Sequence, residues 1–322
     1  MAARPAEPAM GPVTGSVAVL EPAAIGITPV LVERAASKKL GISGWLAAAW
    51  MTFVIAIALA APWLPLNDPN KIYPGLKRGA VLAGPGTSGH LLGSDASGHD
   101  LLSRTIFGSR ASLILGVTSV LLGLLVGAAL GLIAGYYRGK IDVVLTMLFD
   151  TMLAIPQIVL ALALVAVFAP YDIANPVSDT RRLVVLIFSL GVVSVPILGR
   201  ITRASTLSWS QREFVLAAKA LGAKNPRIII REILPNVAPA MFSIALLGVA
   251  VVITAEGGLS ILGIGIQGTP SWGNIIASAT STLRQSPWPV IVPSIAIFLT
   301  VLSLNYLGDI IRARSDVREA AI

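Results

Sequence analysis

Long apolar runs alternate with short polar segments along most of this chain. A membrane's hydrocarbon core is about 30 Å thick, and a helix needs about 20 apolar residues to cross it. Six runs approach or exceed that length, at residues 44–63, 111–136, 143–169, 183–198, 241–266 and 290–307. The pattern therefore predicts an all-α, polytopic membrane protein with six transmembrane helices.

The longest polar interruption, residues 210–239, lies between the fourth and fifth apolar runs. Ser210 and Glu213 have the spacing of a capping box, which predicts that a helix begins at Ser210. Apolar residues at three- and four-residue spacing predict one apolar stripe along this helix. The stripe consists of Phe214, Ala217, Ala218 and Leu221.

A sharp joint is predicted to divide this polar interruption into two short helices. Gly222 favours a positive φ, which is the usual end of a helix. Asn225 followed by Pro226 predicts that a second helix begins with Asn225 as its N-cap. Pro235 is expected to end that second helix.

Composition agrees with a membrane protein and narrows the functions available to it. Of 322 residues, 55% are hydrophobic, and the mean hydropathy is +0.82. The formal net charge of +8 is spread over the connectors between apolar runs, so cytoplasmic bias explains it better than a nucleic-acid partner. The chain has no cysteine, which excludes disulfides, thiolate catalysis and cysteine metal sites.

The distribution of positive residues predicts the orientation in the membrane. With the N-terminus in the cytoplasm, about two thirds of the 24 Lys and Arg residues lie on the cytoplasmic side. We therefore expect a flexible cytoplasmic tail at 1–43, a six-helix transmembrane domain at 44–311 and a cytoplasmic tail at 312–322. Residues 66–110 would form an external loop, and residues 201–239 would form a cytoplasmic loop.

The second apolar run carries four glycines at four-residue spacing, which is a strip along one helix face. Such a strip lets another helix approach closely inside a membrane. The partner is either a helix of this same chain, which we favour, or a second membrane subunit. The four residues are Gly123, Gly127, Gly131 and Gly135.

Two acidic residues lie within predicted spans, Asp150 in the third and Glu256 in the fifth. A charged side chain costs about 2.5–3.5 kcal/mol at the centre of a membrane helix, so each needs a partner or a water-filled cavity. They are candidates either for lining a pathway or for holding helices together. Pro156 and Pro196 are expected to break or bend the third and fourth spans.

Neither metal binding nor ATP binding by this chain is expected. His90 and His99 lie near Asp95 and Asp100, but their spacing matches no compact ligand pattern, so a packed or solvated loop is favoured. The single Gly-Lys pair at Gly139 lacks the upstream glycine of a phosphate-binding loop. We expect no catalytic residue and no bound cofactor.

Four motifs resemble those of the permease subunits of ATP-binding-cassette importers for dipeptides, oligopeptides and nickel. Within that group the chain is similar to the C-type subunit of dipeptide or oligopeptide permeases, from about residue 40 to 318. The first motif resembles the family's Glu-Ala-Ala loop and comprises Arg212-Glu213-Phe214, Ala217-Ala218, Gly222-Ala223 and Ile233-Leu234-Pro235-Asn236. The others comprise Leu92-Gly93-Ser94-Asp95 with Gly98, Asp100, Ser103-Arg104, Gly108 and Arg110; Ala255-Glu256, Leu259-Ser260, Leu262-Gly263-Ile264-Gly265 and Pro270-Ser271-Trp272-Gly273; and Asn305, Leu307-Gly308-Asp309 and Arg312.

Two positions depart from the family pattern. Leu216 occupies the place of the loop's own glutamate, so that Glu213, one turn earlier, is the nearest acid. His99 stands where an arginine or lysine is usual. The first departure removes one polar contact that the family's loop would make, while Gly222 and the capping pattern are retained.

The resemblance implies a fold like that of type I importer permeases, in which the Glu-Ala-Ala loop is a coupling helix that seats in a cleft of an ATPase subunit. Implied partners are a second, non-identical permease, two ATPase subunits that bind ATP and Mg, an extracytoplasmic substrate-binding protein and membrane lipid. The implied location is the bacterial inner membrane, with both termini cytoplasmic. The coupling residues that follow are Glu213, Phe214, Leu216, Ala217, Ala218, Leu221, Gly222, Ala223 and Pro226.

Three functions remain open from the residues. The first is a permease subunit for di- or oligopeptides, with nickel or another small solute as the alternative cargo. The second is a self-sufficient secondary transporter that uses Asp150 and Glu256. The third is a membrane anchor whose polar segment recruits some other cytoplasmic partner.

Overall fold

The computed structural model describes residues 41–72, 82–87, 89–170, 177–266 and 268–320. Nearly all of the predicted N-terminal tail lies outside these ranges. The described residues contain no strand, and they form ten α-helices. The helices are α1 Ile42–Ala60, α2 Leu101–Tyr137, α3 Gly139–Ala154, α4 Gln157–Phe168, α5 Asp179–Trp209, α6 Glu213–Ala220, α7 Asn225–Ile228, α8 Leu234–Ile261, α9 Trp272–Ala279 and α10 Trp288–Ala320.

Each of the six predicted apolar runs falls mainly on helix, although the fifth run, 241–266, is helical only as far as Ile261. Five helical stretches are individually long and apolar enough to cross a membrane, and these are Ile42–Trp63, Leu101–Tyr137, Asp179–Trp209, Asn225–Ile261 and Trp288–Arg314. The third run is divided into α3 and α4, which meet at an angle of 88°. The described chain therefore has six spans when this bent pair is counted as one.

The two prolines predicted to disturb spans behave differently. Pro156 is the N-cap of α4, and the helix breaks there as predicted. Its missing N–H and its ring prevent α3 from continuing. By contrast, α5 runs without interruption through Pro196, so no break occurs in the fourth span.

Several helices extend beyond the apolar runs that predicted them. The side chain of Asp100 accepts a hydrogen bond from the Ser103 N–H and starts α2 ten residues earlier than the apolar pattern does. Helix α5 reaches Trp209, and α10 reaches Ala320 through part of the predicted C-terminal tail. Polar residues at a helix end give no hydropathy signal. The apolar pattern therefore predicted helices that are too short at these ends.

The glycine strip of α2 packs against α5 of the same chain, which confirms the favoured prediction that its partner is a helix of this chain. A Cβ atom built on Gly127 would lie 2.5 Å from the Val195 carbonyl oxygen, and one on Gly131 would lie 2.4 Å from the Gly199 carbonyl oxygen. Both distances are far below van der Waals contact. The two backbones approach so closely that only glycine fits between them.

Three helix boundaries predicted within residues 210–239 are wrong. Ser210 ends α5 instead of starting the next helix, because its hydroxyl donates to the Leu207 carbonyl at 3.0 Å, and α6 begins at Glu213. Lys224, not Asn225, is the N-cap of α7. Pro235 does not end the second helix, because α7 continues through a π-helical turn at Ile229–Ile233 into α8.

The π-helical turn explains how the chain passes Pro235 while remaining helical. The Leu234 N–H bonds to the Ile229 carbonyl, five residues back, so the helix widens just before the proline. A proline ring clashes with the carbonyl four residues earlier in a regular helix. The wider turn gives the ring room, and the fifth span therefore begins at Asn225.

Candidate coupling surface

The segment that connects α5 to α7, residues 210–224, turns one side of its helix α6 toward the protein. Val215 is fully buried, and Phe214 and Ala218 are partly buried against the core. The Phe214 ring lies 6.1 Å from the Trp209 ring at the end of α5. These contacts fix which side of α6 faces outward.

Helix α6 ends at Gly222 in a Schellman motif, which confirms the predicted stop. Gly222 has a φ of +80°. Its N–H bonds to the Lys219 carbonyl at 3.0 Å, and the Ala223 N–H bonds to the Ala218 carbonyl at 3.0 Å. This pair of bonds satisfies carbonyls that would otherwise be unpaired at the helix end.

Side chains at the end of α2 hold segment 210–224 and the start of α7 in place. The Tyr136 hydroxyl donates to the Asn225 side-chain oxygen at 2.9 Å, and the Lys219 ammonium lies 5.0 Å from the centre of the Tyr136 ring. Arg138 donates to the Ser210 hydroxyl at 3.1 Å. The segment is therefore tied to the end of α2 as well as to α5.

The outward side of α6 is largely apolar and exposed. Leu216 is 53% exposed and Leu221 is 89% exposed. With Glu213, Ala217 and Ala220 they recur at three- and four-residue spacing, so they share one helix face. We call these five residues the α6 outer face.

The predicted apolar stripe is split between the two sides of α6. Phe214 and Ala218 point toward the protein, whereas Ala217 and Leu221 belong to the α6 outer face. Ala223 is partly buried beyond the helix end, and Pro226 is exposed at the second position of α7. The structure thus brings the predicted coupling residues into one short segment, on opposite faces of it.

The sequence reasoning missed the residues that hold this segment. Val215 was not assigned to the inward face, although it is the most buried residue of α6. Tyr136 was predicted only as the end of the second apolar run, and neither Arg138 nor Trp209 was assigned a role in holding the segment. A run of aromatic and basic residues at the end of a span is the one signal that could have indicated them.

The second acidic candidate, Glu256, is 0% exposed near the end of α8. Its Oε1 accepts hydrogen bonds from the hydroxyls of Ser260 at 2.7 Å and Ser271 at 2.8 Å. Ser271 is also the N-cap of α9, where its hydroxyl accepts from the Asn274 N–H at 3.0 Å. In this structure Glu256 connects the end of α8 to the start of α9.

Trp272, the first residue of α9, extends this connection to α2. Its backbone N–H donates to the Ser112 hydroxyl at 3.1 Å, and its indole N–H donates to the Thr105 carbonyl at 2.9 Å. The ring is almost fully buried. The motif around Pro270 is therefore packed between α2 and α8, at the opposite end of these helices from α6.

The first acidic candidate, Asp150, is about half exposed on α3. Its carboxylate lies 3.4 Å from the Arg200 guanidinium of α5. Asp142, about two turns from Asp150 along α3, accepts two bonds from Arg203, about one turn from Arg200 along α5, with an Nη2–Oδ2 distance of 2.7 Å. The two acidic candidates thus lie in different settings, one buried and one open.

The histidine-containing segment before α2 is packed. His90 pairs with Asp100 at 2.8 Å, and His99 pairs with Asp95 at 2.9 Å. Asp95 also accepts from Arg104 at 2.7 Å. Within the described residues no three His, Cys, Asp or Glu side chains are grouped as a metal site would require.

Comparison with known proteins gives this arrangement a family. Residues 127–318 match the family described as "Binding-protein-dependent transport system inner membrane component". The dipeptide transport system permease protein DppC of Alkalihalophilus pseudofirmus is 37% identical over 279 residues, which cover 86% of each chain. The chain belongs to this family.

Other relatives of this inner membrane component are similar over the same extent. The di/tripeptide transport system permease protein DppC of Pseudomonas aeruginosa is 34% identical and covers 83% of this chain and 85% of its own. The glutathione transport system permease protein GsiD of Pectobacterium atrosepticum is 35% identical, with coverage of 83% and 84%. The chain is thus the membrane-spanning permease component of an ABC transporter, as the motif resemblance implied.

A solved structure shows the same fold. A chain of the MetNI methionine ABC transporter, in an inward-facing conformation, aligns with a TM-score of 0.55 at 17% sequence identity. The alignment covers 66% of this inner membrane component and 97% of that chain. The predicted fold class, an all-α ABC permease of type I, is confirmed.

Proposed function

We propose that this permease carries peptides of two or a few residues across the bacterial inner membrane, and that it does so under the control of ATPase subunits that dock on the α6 outer face. The cargo is inferred from the relatives, which are named for dipeptides, di/tripeptides and glutathione. Nickel, the alternative cargo, has no counterpart among these three names.

The observation that carries the docking proposal is the exposure of Leu221 on a firmly held segment. Leu221 is 89% exposed at a helix end. Its full burial by a partner would stabilise the complex by about 1.5–3 kcal/mol. Leu216 lies one turn away on the same face and is also exposed. The α6 outer face therefore suits an apolar cleft, with Glu213 as the acidic residue at its edge.

The other half of the proposal is that movement of the ATPase reaches the membrane helices through α6. Trp209 and Val215 connect α6 to α5. Tyr136, at the end of α2, connects that helix to the same segment and to the start of α7. Because α2 and α5 are in backbone contact at the glycine strip, a push on α6 displaces them together. A loosely attached segment would absorb that push.

The rest of the assembly follows from the family and is part of the proposal. A second, non-identical permease completes the pathway, and an extracytoplasmic binding protein delivers the solute. Two ATPase subunits bind ATP and Mg, so this chain performs no chemistry and binds no cofactor itself. Segment 210–224 and both termini lie in the cytoplasm.

Substituting the most exposed residue of the α6 outer face tests the docking proposal. Leu221→Asp should reduce the ATPase that co-purifies with the permease pair by at least about tenfold, because burial of a charge replaces burial of a leucine. Leu283→Asp is the matched control, since Leu283 is an exposed leucine between α9 and α10, at the other end of α8. Unchanged ATPase recovery and peptide uptake with Leu221→Asp would reject the docking site.

Proteoliposomes separate the proposal from the secondary-transporter alternative. We expect uptake of a labelled dipeptide only when both permeases, the ATPases, the binding protein and ATP are present. Uptake by this chain alone, without ATP, would favour the self-sufficient transporter.

A further inference from the structure

An open groove of about 670 Å³ lies between α3 and α5. Its α3 wall presents Asp142, Thr146 and Asp150, which share one helix face because they are spaced four residues apart. Arg203 of α5 forms part of the opposite wall, and Arg200 reaches Asp150 from the same helix. The groove thus has acidic residues on one wall and basic residues on the other, and the exposed apolar side chains of Val143 and Met147 also line it.

The two ion pairs across this groove differ in how firmly they are closed. Asp142 and Arg203 form a two-pronged pair, and their side chains are only 16% and 28% exposed. Asp150 and Arg200 meet at a single distance of 3.4 Å, and their side chains are 53% and 55% exposed. The first pair holds α3 to α5, whereas the second leaves charged atoms open to whatever fills the groove.

The acidic member of the open pair lies within an apolar run. Asp150 is about 10 Å along the helix axis from the start of the third apolar run at residue 143, whereas Arg200 lies two residues beyond the fourth run, which ends at residue 198. Charged side chains at the centre of a membrane helix are tolerated when they face a water-filled cavity or another protein surface. The face of α3 that carries Asp150 is therefore not covered by lipid.

The backbone at one end of the groove leads to the same conclusion. Ala154 lines the groove, and the chain breaks immediately after it at Ile155 and Pro156, all three of which are exposed. Non-helical backbone at membrane depth occurs where it is buried in protein or lines a water-filled cavity. The bent connection between α3 and α4 thus requires water or protein on the side where the open ion pair lies.

Water fits this face better than a second protein subunit. Burying two charges under a partner costs several kcal/mol per ion unless close contacts replace the lost hydration. A single contact at 3.4 Å between half-exposed side chains does not replace it. Thr151 also lines the groove, and its hydroxyl donates to the Met147 carbonyl at 2.7 Å, so it requires no partner from a second subunit.

We propose that the α3–α5 groove is a hydrated section of the translocation pathway, and that Asp150 and Arg200 make it permissive to peptides of either charge. The proposal rests on the proposed transport function. Asp150 offers a carboxylate to cationic groups of the solute, and Arg200 offers a guanidinium to anionic groups. By contrast, the enclosed cavity of about 180 Å³ between α2, α4, α5 and α8 is lined by no charged residue.

Labelling of single cysteines tests whether the groove holds water. The chain has no cysteine of its own, so Thr151→Cys introduces the only thiol. In the assembled transporter in membrane vesicles, a charged, water-soluble methanethiosulfonate should label Thr151→Cys with ATP absent or with ATP trapped. Leu125→Cys, on an exposed apolar position of α2, should stay unlabelled, and both should react after denaturation.

Two labelling results would overturn the hydrated groove. Failure of Thr151→Cys to react in both the isolated chain and the assembled transporter would place lipid there. Reaction in the isolated chain alone would place a partner subunit there. Neither result depends on uptake, so they are distinguishable from a failure of the proposed peptide transport.

Neutralising each charge separately tests the role of the open pair. Asp150→Asn should lower uptake of cationic peptides relative to anionic ones by about fivefold, and Arg200→Gln should shift the ratio the other way, as expected for one charge at about 4 Å in a water-like medium. Asp142→Asn, which breaks the closed pair, should lower uptake of both peptides equally. Equal effects of Asp150→Asn and Arg200→Gln on both peptides would overturn the charge role.

Discussion

At Gly222 the backbone leaves α6 with a φ of +80°, and a Cβ atom added there would meet no atom within 4 Å. A side chain at this position would therefore meet no steric obstacle, but residues other than glycine disfavour the positive φ. Glu256 is the opposite case, a buried residue whose surroundings are filled by Ser260, Ser271 and the close backbone of Gly273. One residue is required for its conformation and the other for its hydrogen bonds.

Substitution at Gly222 should separate conformation from side-chain size. Gly222→Val should loosen the end of α6 and uncouple peptide uptake from ATP hydrolysis, since a β-branched residue at positive φ is strained by about 1–2 kcal/mol. Gly222→Asn is the control, because asparagine tolerates this conformation. Uptake per ATP hydrolysed would be measured in proteoliposomes, and equal coupling in both variants would argue against a conformational role.

Substitution at Glu256 should affect stability before it affects transport. Glu256→Ala removes the acceptor of two buried hydroxyl groups, which costs about 1–3 kcal/mol for each group left unsatisfied. Glu256→Gln keeps an oxygen for Ser260 and Ser271 and should be milder. Thermal unfolding in detergent measures both, and a Glu256→Ala variant as stable as the parent would show that this connection between α8 and α9 is dispensable.

At the scale of elements, the glycine strip binds α2 to α5 without room for a single methyl group. A helix pair packed at this distance moves as one body, because any relative rotation brings the flanking side chains into the opposing backbone. The Schellman end of α6 and the π-helical turn before Pro235 shape the chain on either side of α7. The local backbone geometry on either side of α7 thus determines how segment 210–224 leads into the fifth span.

A methyl group added to the strip should destabilise the protein. Gly131→Ala would place its Cβ 2.4 Å from the Gly199 carbonyl oxygen, and overpacking of this kind costs about 1–3 kcal/mol. Gly258→Ala is the matched control, since a Cβ there meets no atom within 4 Å in α8. A lower unfolding temperature is expected for Gly131→Ala only, and equal temperatures would contradict the close approach.

The sequence was sufficient for features that one helix determines by itself. Six apolar runs, the break at Pro156 and the stop at Gly222 each follow from hydropathy or from the backbone preference of one residue type. The start of α6 could not be predicted correctly in this way. Ser210 and Glu213 have the spacing of a capping box, but Ser210 is the C-cap of α5. The hydroxyl of Ser210 bonds backward to Leu207 and to Arg138, a tertiary partner that local spacing cannot indicate.

The direction of α6 was beyond the sequence for a related reason. Apolar residues occur on every side of this helix, including Val215, Leu216 and Leu221. Its amphipathic pattern is therefore weak, and the covered side depends on where Trp209 and Tyr136 lie. Asp150 could be identified as a residue needing a partner, whereas Arg200 as that partner required the packing of α3 against α5.

At the scale of the whole molecule, the groups that matter for transport lie at different depths. The α6 outer face follows the end of α5, the open pair of Asp150 and Arg200 lies within α3 and α5, and the connection at Glu256 lies near the other end of α8. The closed pair of Asp142 and Arg203 lies between the first two. The described chain thus places the proposed docking surface, the charged groove and the packed connection at Glu256 in sequence along one direction.

Reporter fusions test the orientation of this arrangement. Alkaline phosphatase, which is active only outside the cytoplasm, should be inactive when fused after Arg314 and active when fused after Arg284. The expectation follows from the excess of Lys and Arg on the side of segment 210–224. The reverse pattern of activity would place the α6 outer face on the extracytoplasmic side, away from any cytoplasmic ATPase.

The exposure of Leu221 also has a consequence for the life of the protein before assembly. With segment 210–224 on the cytoplasmic side, as proposed, a newly inserted copy that has met no ATPase exposes Leu221, beside Leu216, to the cytoplasm. Exposed apolar patches of this kind promote aggregation and attract the cell's chaperones and proteases. We expect orphan copies to be cleared quickly, so that the abundance of the permease follows the supply of its ATPase.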